Sequence, residues 1–213
     1  MVGRADGQGP TVVSRLTDLT EVMVKVDSGA LAAVGIDIPI GLPEHGSRLC
    51  DIQARKLVGR RRSSVFPAPA RALLGAETFE EASTRSRALT GKGISRQTFG
   101  ILSKIQAVDL LITPERQRKV VEVHPEVCFT VLTGAPMANA KATTEGRHER
   151  LAALRRVFED VDEHAATRIT RVHPDDVLDA FAVAWTARRW LTDTHTRLGG
   201  EIDQRGLRME IIA

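Results

Sequence analysis

A three-layer α/β domain, with helices on both faces of a small sheet, is the fold class this sequence predicts. Two runs carry that prediction. Leu31-Ala32-Ala33-Val34-Gly35-Ile36-Asp37-Ile38 is almost wholly apolar and ends at Pro39, and Lys119-Val120-Val121-Glu122-Val123-His124 is a valine strand that stops at Pro125. Runs of this kind belong to strands buried on both faces, often parallel ones. Around them lie segments with apolar residues at helical spacing, so helices interleave with strands.

Taken in order, Thr11-Val12-Val13-Ser14-Arg15 is expected as a short strand. Residues 16–26 follow as a helix with Leu16, Leu19, Met23 and Val26 on one face. After the strand at 31–38 comes a helix at 47–58. Residues 60–69 contain Pro67 and Pro69, and positions before proline resist helix, so an extended loop is predicted there. Helices are expected at 78–89 and 95–112, the second with Ile101, Leu102, Ile105, Val108 and Ile112 on its apolar stripe. Beyond the valine strand, residues 136–146 form a polar connection and 147–161 a charged amphipathic helix. Pro174 suits the first turn of a last helix reaching about residue 191, with Gly199-Gly200 beyond its end.

The chain has 213 residues and no Pro/Gly/Ser-rich linker, which favours a single domain over 1–213. It has no secretory segment and no long apolar run, so a cytoplasmic protein without a membrane span is expected. Cys50 and Cys128 are far apart and form no CxxC pair, which argues against a disulfide framework or a zinc knuckle. A net charge of +3 permits a polyanionic partner without demanding one.

Chemistry is suggested by carboxylates at unusual points. His173-Pro174-Asp175-Asp176-Val177-Leu178-Asp179-Ala180 opens an Ala-rich helix with three acids on one side. Asp37 interrupts an apolar strand and Glu122 a valine strand, and buried acids are costly unless paired. If Asp37, Glu122, Asp176 and Asp179 converge at a sheet edge, they offer oxygen ligands to one or two Mg²⁺ or Mn²⁺ ions. Plainer roles compete with this: helix capping for Asp175 and Asp176, a buried ion pair for Asp179, turn capping for Asp37 and an internal salt bridge for Glu122. The first-turn position makes Asp175 the favoured cap.

Weaker constellations surround these acids. The alternation Glu122, His124, Glu126 is metal-like, but Pro125 interrupts it. Arg60, Arg61 and Arg62, with Lys141 and Arg150, are candidates for phosphate contacts, against the commoner reading of a solvated charged face. No Walker A, GxSxG or GxGxxG sequence occurs.

Five motifs occur in a fixed order: Gly35-Ile36-Asp37-Ile38-Pro39-Ile40-Gly41-Leu42-Pro43, Ser63-Ser64-Val65-Phe66-Pro67, Gly93-Ile94-Ser95-Arg96-Gln97-Thr98-Phe99, Glu122-Val123-His124-Pro125-Glu126 and Asp175-Asp176-Val177-Leu178-Asp179-Ala180. Over about residues 10–191 the chain resembles domain-of-unknown-function family 429, whose members are regarded as ribonuclease H-like nucleases. The resemblance implies a ribonuclease H-like fold, a mixed sheet flanked by helices, and metal-dependent cleavage of nucleic acid. The Asp176-x-x-Asp179-Ala180 helix is similar to the acidic last helix of Holliday-junction resolvases. One departure stands out. Such families begin with a Gly-x-Asp strand and a Gly-Trp hairpin, whereas this chain starts Met1-Val2-Gly3-Arg4-Ala5-Asp6-Gly7, like the end of that hairpin with Asp6 in a turn. The usual first strand and its acid are missing, by a misassigned start codon or by true loss, and the sheet edge so exposed is one a second subunit of a homodimer could cover.

The leading expectation is a Mg- or Mn-dependent nuclease using Asp37, Glu122, Asp176 and Asp179, with Arg60–Arg62, Lys141 and Arg150 on phosphates. The alternatives are a catalytically silent nucleic-acid-binding protein of the same fold and, third, an ATP-dependent phosphotransferase.

Overall fold

A computed structural model describes residues 11–16 and 18–213. The segment 1–7, including Asp6, lies outside the described residues. The architecture is mixed α/β, with a small sheet between helical layers. Strand β1 (Val34–Ile36) pairs in parallel with β2 (Val120–Glu122), in register Val34 to Val120 and Ile36 to Glu122. Strands β3 (Arg197–Ile202) and β4 (Arg208–Ile212) form an antiparallel hairpin. A single parallel bridge from Val123 to Ile212 joins the two ladders, giving the spatial order β1-β2-β4-β3.

Side chains alternate across the parallel strands, and this decides which helices cover each face. Val34 and Val120 enter one apolar cluster with α1 (Leu19–Asp27) and α4 (Arg96–Leu111), through Val22, Met23, Val26 and Val108. Val121 and Val123 enter another with α2 (Leu49–Leu57), α5 (Pro125–Thr133) and α8 (Pro174–Leu191), through Ala54, Phe129, Phe181 and Val183. Helices α3 (Phe79–Thr90), α6 (Thr144–Leu154) and α7 (Val161–Ala166) complete the element list. Among the described residues no helix is long and apolar enough to cross a membrane.

Several helices start where side chains satisfy their free N–H groups. Asp18 accepts from Thr20 N–H at 2.7 Å, which delays α1 to Leu19 rather than the expected residue 16. Thr78 caps α3 and Ser95 caps α4, as helices over 78–89 and 95–112 require.

At five places the structure departs from these expectations or adds to them. Residues 11–15 form no strand: Thr11 N–H donates to Asp160 and Val13 packs on the α8 cluster. The stretch Gly59–Ser64 is a 3₁₀ turn, because the pre-proline restriction reaches only Phe66 and Ala68. Pro125 does not merely end β2 but occupies the first turn of α5, where a missing N–H costs nothing. The charged helix expected over 147–161 is two helices, α6 and α7, separated by an irregular turn. Finally, Gly199-Gly200 lie inside β3 at a bulge. A Cβ on Gly199 would stand 2.6 Å from that of Cys50, so the glycine lets α2 lie directly on the hairpin.

Candidate functional site

The site is built where β1 runs out against α8. A Cβ on Gly35 would fall 2.6 Å from Val183 Cγ1 and 3.2 Å from the Val183 carbonyl oxygen, so α8 rests on β1 only because residue 35 is glycine. Two residues on, Asp37 projects to the same face of the strand. The acidic start of α8 is thereby carried to the end of β1. Asp37, Asp176 and Asp179 all line one cavity of about 610 Å³, together with the edge of β1 and parts of α4 and of the segment before α1.

Asp176 also caps its helix. Its Oδ2 accepts the His173 backbone N–H at 3.1 Å, the capping role assigned by sequence to Asp175. Asp176 remains exposed and faces the cavity. Asp179, one turn further along, accepts from Lys141 Nζ at 2.9 Å. The pair is uneven in exposure, with Lys141 half-exposed and Asp179 at 14 %.

Negative charge is concentrated at the end of the cavity where β1 meets α8. Asp37 is exposed to the solvent of the cavity, and the protein around it still takes away part of the water a free carboxylate would have. That loss of water, then the Asp179 carboxylate, raise its carboxyl well above the ordinary range, with Glu122 and Asp176 adding to the rise and Lys141 opposing it. Burial also raises Asp179 despite its lysine. Burial disfavours the Lys141 ammonium, but Asp179 and Asp37 outweigh it and hold the charge more firmly than usual. Lys141 is thus held by the Asp179 carboxylate, with Asp37 adding to its field. Among the described residues no three His, Cys, Asp or Glu side chains are drawn together tightly enough to form a ready-made ion cage. Asp37, Asp176 and Asp179 offer carboxylate oxygens, the donor type that a hard divalent cation takes.

Glu122 stands apart from this group. Its oxygens accept from Arg48 Nη1 and Nη2, each at 2.7 Å, and Oε2 also accepts Ile40 N–H at 2.7 Å. Arg48 is buried and bonded further to Asp51, at 2.6 Å and 3.1 Å. Burial works against its charge, but Glu122 and Asp51 outweigh burial and hold the guanidinium charged. With its lone pairs committed to Arg48 and to Ile40 N–H, Glu122 is the internal salt bridge that its strand position allowed, and it fastens the chain after β1. It stays near enough to contribute to the rise at Asp37.

His124, just beyond β2, and Glu126, in the first turn of α5, also have partners elsewhere. His124 Nε2–H donates to the Ser64 carbonyl at 3.2 Å, and burial lowers its pKa, so the ring is neutral. Glu126 accepts from Arg150 at 2.7 Å and from Arg61 at 3.2 Å.

The five expected phosphate contacts scatter. Arg150 is buried, bonded to Glu126 and to the carbonyls of Gly146 and Asn139, and stacked over Phe129, so it props α5 against α6 instead of meeting solvent. Arg61 shares Glu126. Arg60 and Arg62 are exposed on the 3₁₀ turn and do not line the cavity. Lys141 alone reaches the carboxylates. The cavity's own cations are Arg15, Lys104 and Arg171, which the sequence did not single out. Lys104 sits beside an apolar helical stripe and Arg171 just ahead of the α8 cap, and only the fold brings them together. Among the described residues none of the three has a carboxylate partner, whereas the buried Arg48 and Arg150 are both paired.

No curated protein and no solved structure matches this chain. A family model, described as Protein of unknown function (DUF429), matches residues 3–204, which takes in β1, β2, α8 and every residue of the cavity. The chain thus belongs to the DUF429 family.

Proposed function

We propose that the protein is a Mg²⁺- or Mn²⁺-dependent phosphodiesterase acting on nucleic acid, with a ribonuclease H-like arrangement of β1, β2 and α8. The observation that carries this reading is the convergence of Asp37 from a strand end with Asp176 and Asp179 from a helix start on a single solvent-connected cavity. A divalent cation there would supply Lewis-acid stabilisation of a reacting phosphate and a more acidic bound water. Asp37 and Asp179 would hold it, Asp176 would use the oxygen not committed to the helix cap, and Glu122 would position Asp37 by fixing the turn that follows it. Lys141, displaced from Asp179, would be free to meet a phosphate oxygen.

The test is cleavage of single-stranded, duplex and branched substrates with Mn²⁺ by wild type and by Asp179→Asn. Cleavage by the wild type that the variant loses supports the reading. Equal cleavage by both refutes it.

A second reading follows from the Lys141–Asp179 pair, which neutralises one acid without a metal. On that reading the protein binds nucleic acid and does not cut it. Wild type and Asp179→Asn that are equally inert but bind nucleic acid equally well support this alternative.

A further inference from the structure

The cavity has a polar edge that the carboxylate chemistry leaves unused. Val34 N–H donates to the Lys119 carbonyl at 2.7 Å, and the Ile36 carbonyl accepts from Val123 N–H at 2.9 Å, so these two residues turn their backbone groups toward β2. In a parallel ladder the residue between them turns its N–H and C=O the other way. For Gly35 that direction is the cavity it lines, and no described residue bonds either group across it. Gly35 is half-buried, and free backbone groups at such a sheet edge are open to a partner. Side by side, one donor and one acceptor match the hydrogen-bonding edge of a planar heterocycle.

Charge and size narrow the occupant. Arg15, Lys104 and Arg171 line the cavity, exposed and without a carboxylate partner among the described residues, so they are available to an anion that enters it. The walls between are apolar, including Leu19, Ile36, Val108 and Val183. A space of 610 Å³ falls within the range for small-molecule sites, roughly 300–1,000 Å³. In a duplex the Watson–Crick edge of a base is already taken, so the Gly35 backbone could meet that edge only in an unpaired base.

We infer that the cavity takes one nucleotide unit, free or as the exposed end of a single strand, with its base edge on the Gly35 backbone and its phosphate between the cations and the carboxylates. This rests on the phosphodiesterase reading for the role of those carboxylates, and adds to it that the substrate enters unpaired.

The test is calorimetric titration of the full-length protein in Mn²⁺ with a 5′-nucleoside monophosphate, a single-stranded oligonucleotide, a blunt duplex and inorganic phosphate. The variants are Lys104→Ala with Arg171→Gly, and separately Arg60→Ala with Arg62→Ala. Lys104 is exposed and Arg171 has φ 61°, a conformation glycine accepts, so the first pair leaves the fold intact. The monophosphate and the single strand are expected to bind. Both should weaken tenfold or more in the first pair and by less than twofold in the second, and inorganic phosphate and the duplex should bind at least tenfold more weakly. Phosphate binding equal to the monophosphate, duplex binding equal to the single strand, or a loss confined to the Arg60 and Arg62 pair each overturns the inference. Nucleotide binding without cleavage refutes only the hydrolytic reading, whereas cleavage of blunt duplex that survives Lys104→Ala with Arg171→Gly refutes only the nucleotide pocket.

Discussion

Lys141 donates its ammonium to Asp179 Oδ2 at 2.9 Å, filling with a side chain the place that a divalent cation would take. The two arrangements compete for the same oxygen. Lys141→Ala should lower stability without metal by no more than about 1 kcal/mol, since the lysine is half-exposed and water screens the pair. Its stabilisation by Mn²⁺ should exceed that of wild type, because the cavity then has no ammonium of its own. Thermal melts with and without Mn²⁺ check this, and an equal metal response in both proteins would show that Lys141 and metal do not compete.

Asp179 and Glu122 should part company on mutation. Glu122→Gln breaks a buried pair with Arg48 and leaves the guanidinium short of a counter-charge, at a cost of about 3–5 kcal/mol. Asp179→Asn should cost about 1 kcal/mol or less while abolishing any Mn²⁺ response. Urea denaturation read against metal titration separates the structural acid from the ligand.

Asp37 makes stability depend on pH in a direction opposite to that of most paired carboxylates. Its folded-state pKa is raised by burial and by Asp179, so between the ordinary carboxylate range and that raised value the native state holds a proton that the unfolded state has released. Stability therefore falls as pH rises through that window and recovers as pH drops back toward the ordinary range. Asp37→Asn should shrink this slope, leaving the smaller part due to Asp179 and Glu122, whose carboxyls burial also raises, and should raise the melting temperature most at neutral pH. Added Mn²⁺ should reduce the slope in wild type more than in the variant. Melting temperatures across pH 4–8 provide the check, and a slope as steep in Asp37→Asn as in wild type would assign it to other groups.

Gly35 should tolerate almost nothing larger. A Cβ would meet Val183 Cγ1 at 2.6 Å, so Gly35→Ala pushes α8 off β1 and should cost about 1–3 kcal/mol by overpacking. The displacement also carries Asp176 and Asp179 away from Asp37. Mn²⁺ affinity should consequently fall further than stability alone accounts for, measured under conditions where the variant is fully folded.

Much of this was legible in the chain because local signals agree with the fold. The apolar run at 31–38 and the valine strand at 119–124 contain β1 and β2, and the capping residues Thr78 and Ser95 mark α3 and α4. Legibility failed where one residue type serves two purposes. Pro125 both ends a strand and starts a helix, and Gly199-Gly200, placed by sequence only beyond the last helix, sit in a strand pressed against Cys50. Within the site, Asp37, Asp176 and Asp179 were visible as acids set into apolar surroundings. The commitment of Glu122 was not, because its partner Arg48 lies 74 residues away and nothing local marks that arginine as buried. The cavity's own cations were hidden for the same reason, since Arg15, Lys104 and Arg171 meet only in three dimensions.

The central claim is that Asp37, Asp176 and Asp179 hold a divalent metal. Anomalous scattering from crystals grown in Mn²⁺ tests it most directly. The account predicts a manganese peak between Asp37 and Asp179 with Lys141 moved off the carboxylate. Saturating Mn²⁺ with no peak there, and Lys141 still bonded to Asp179, would contradict it.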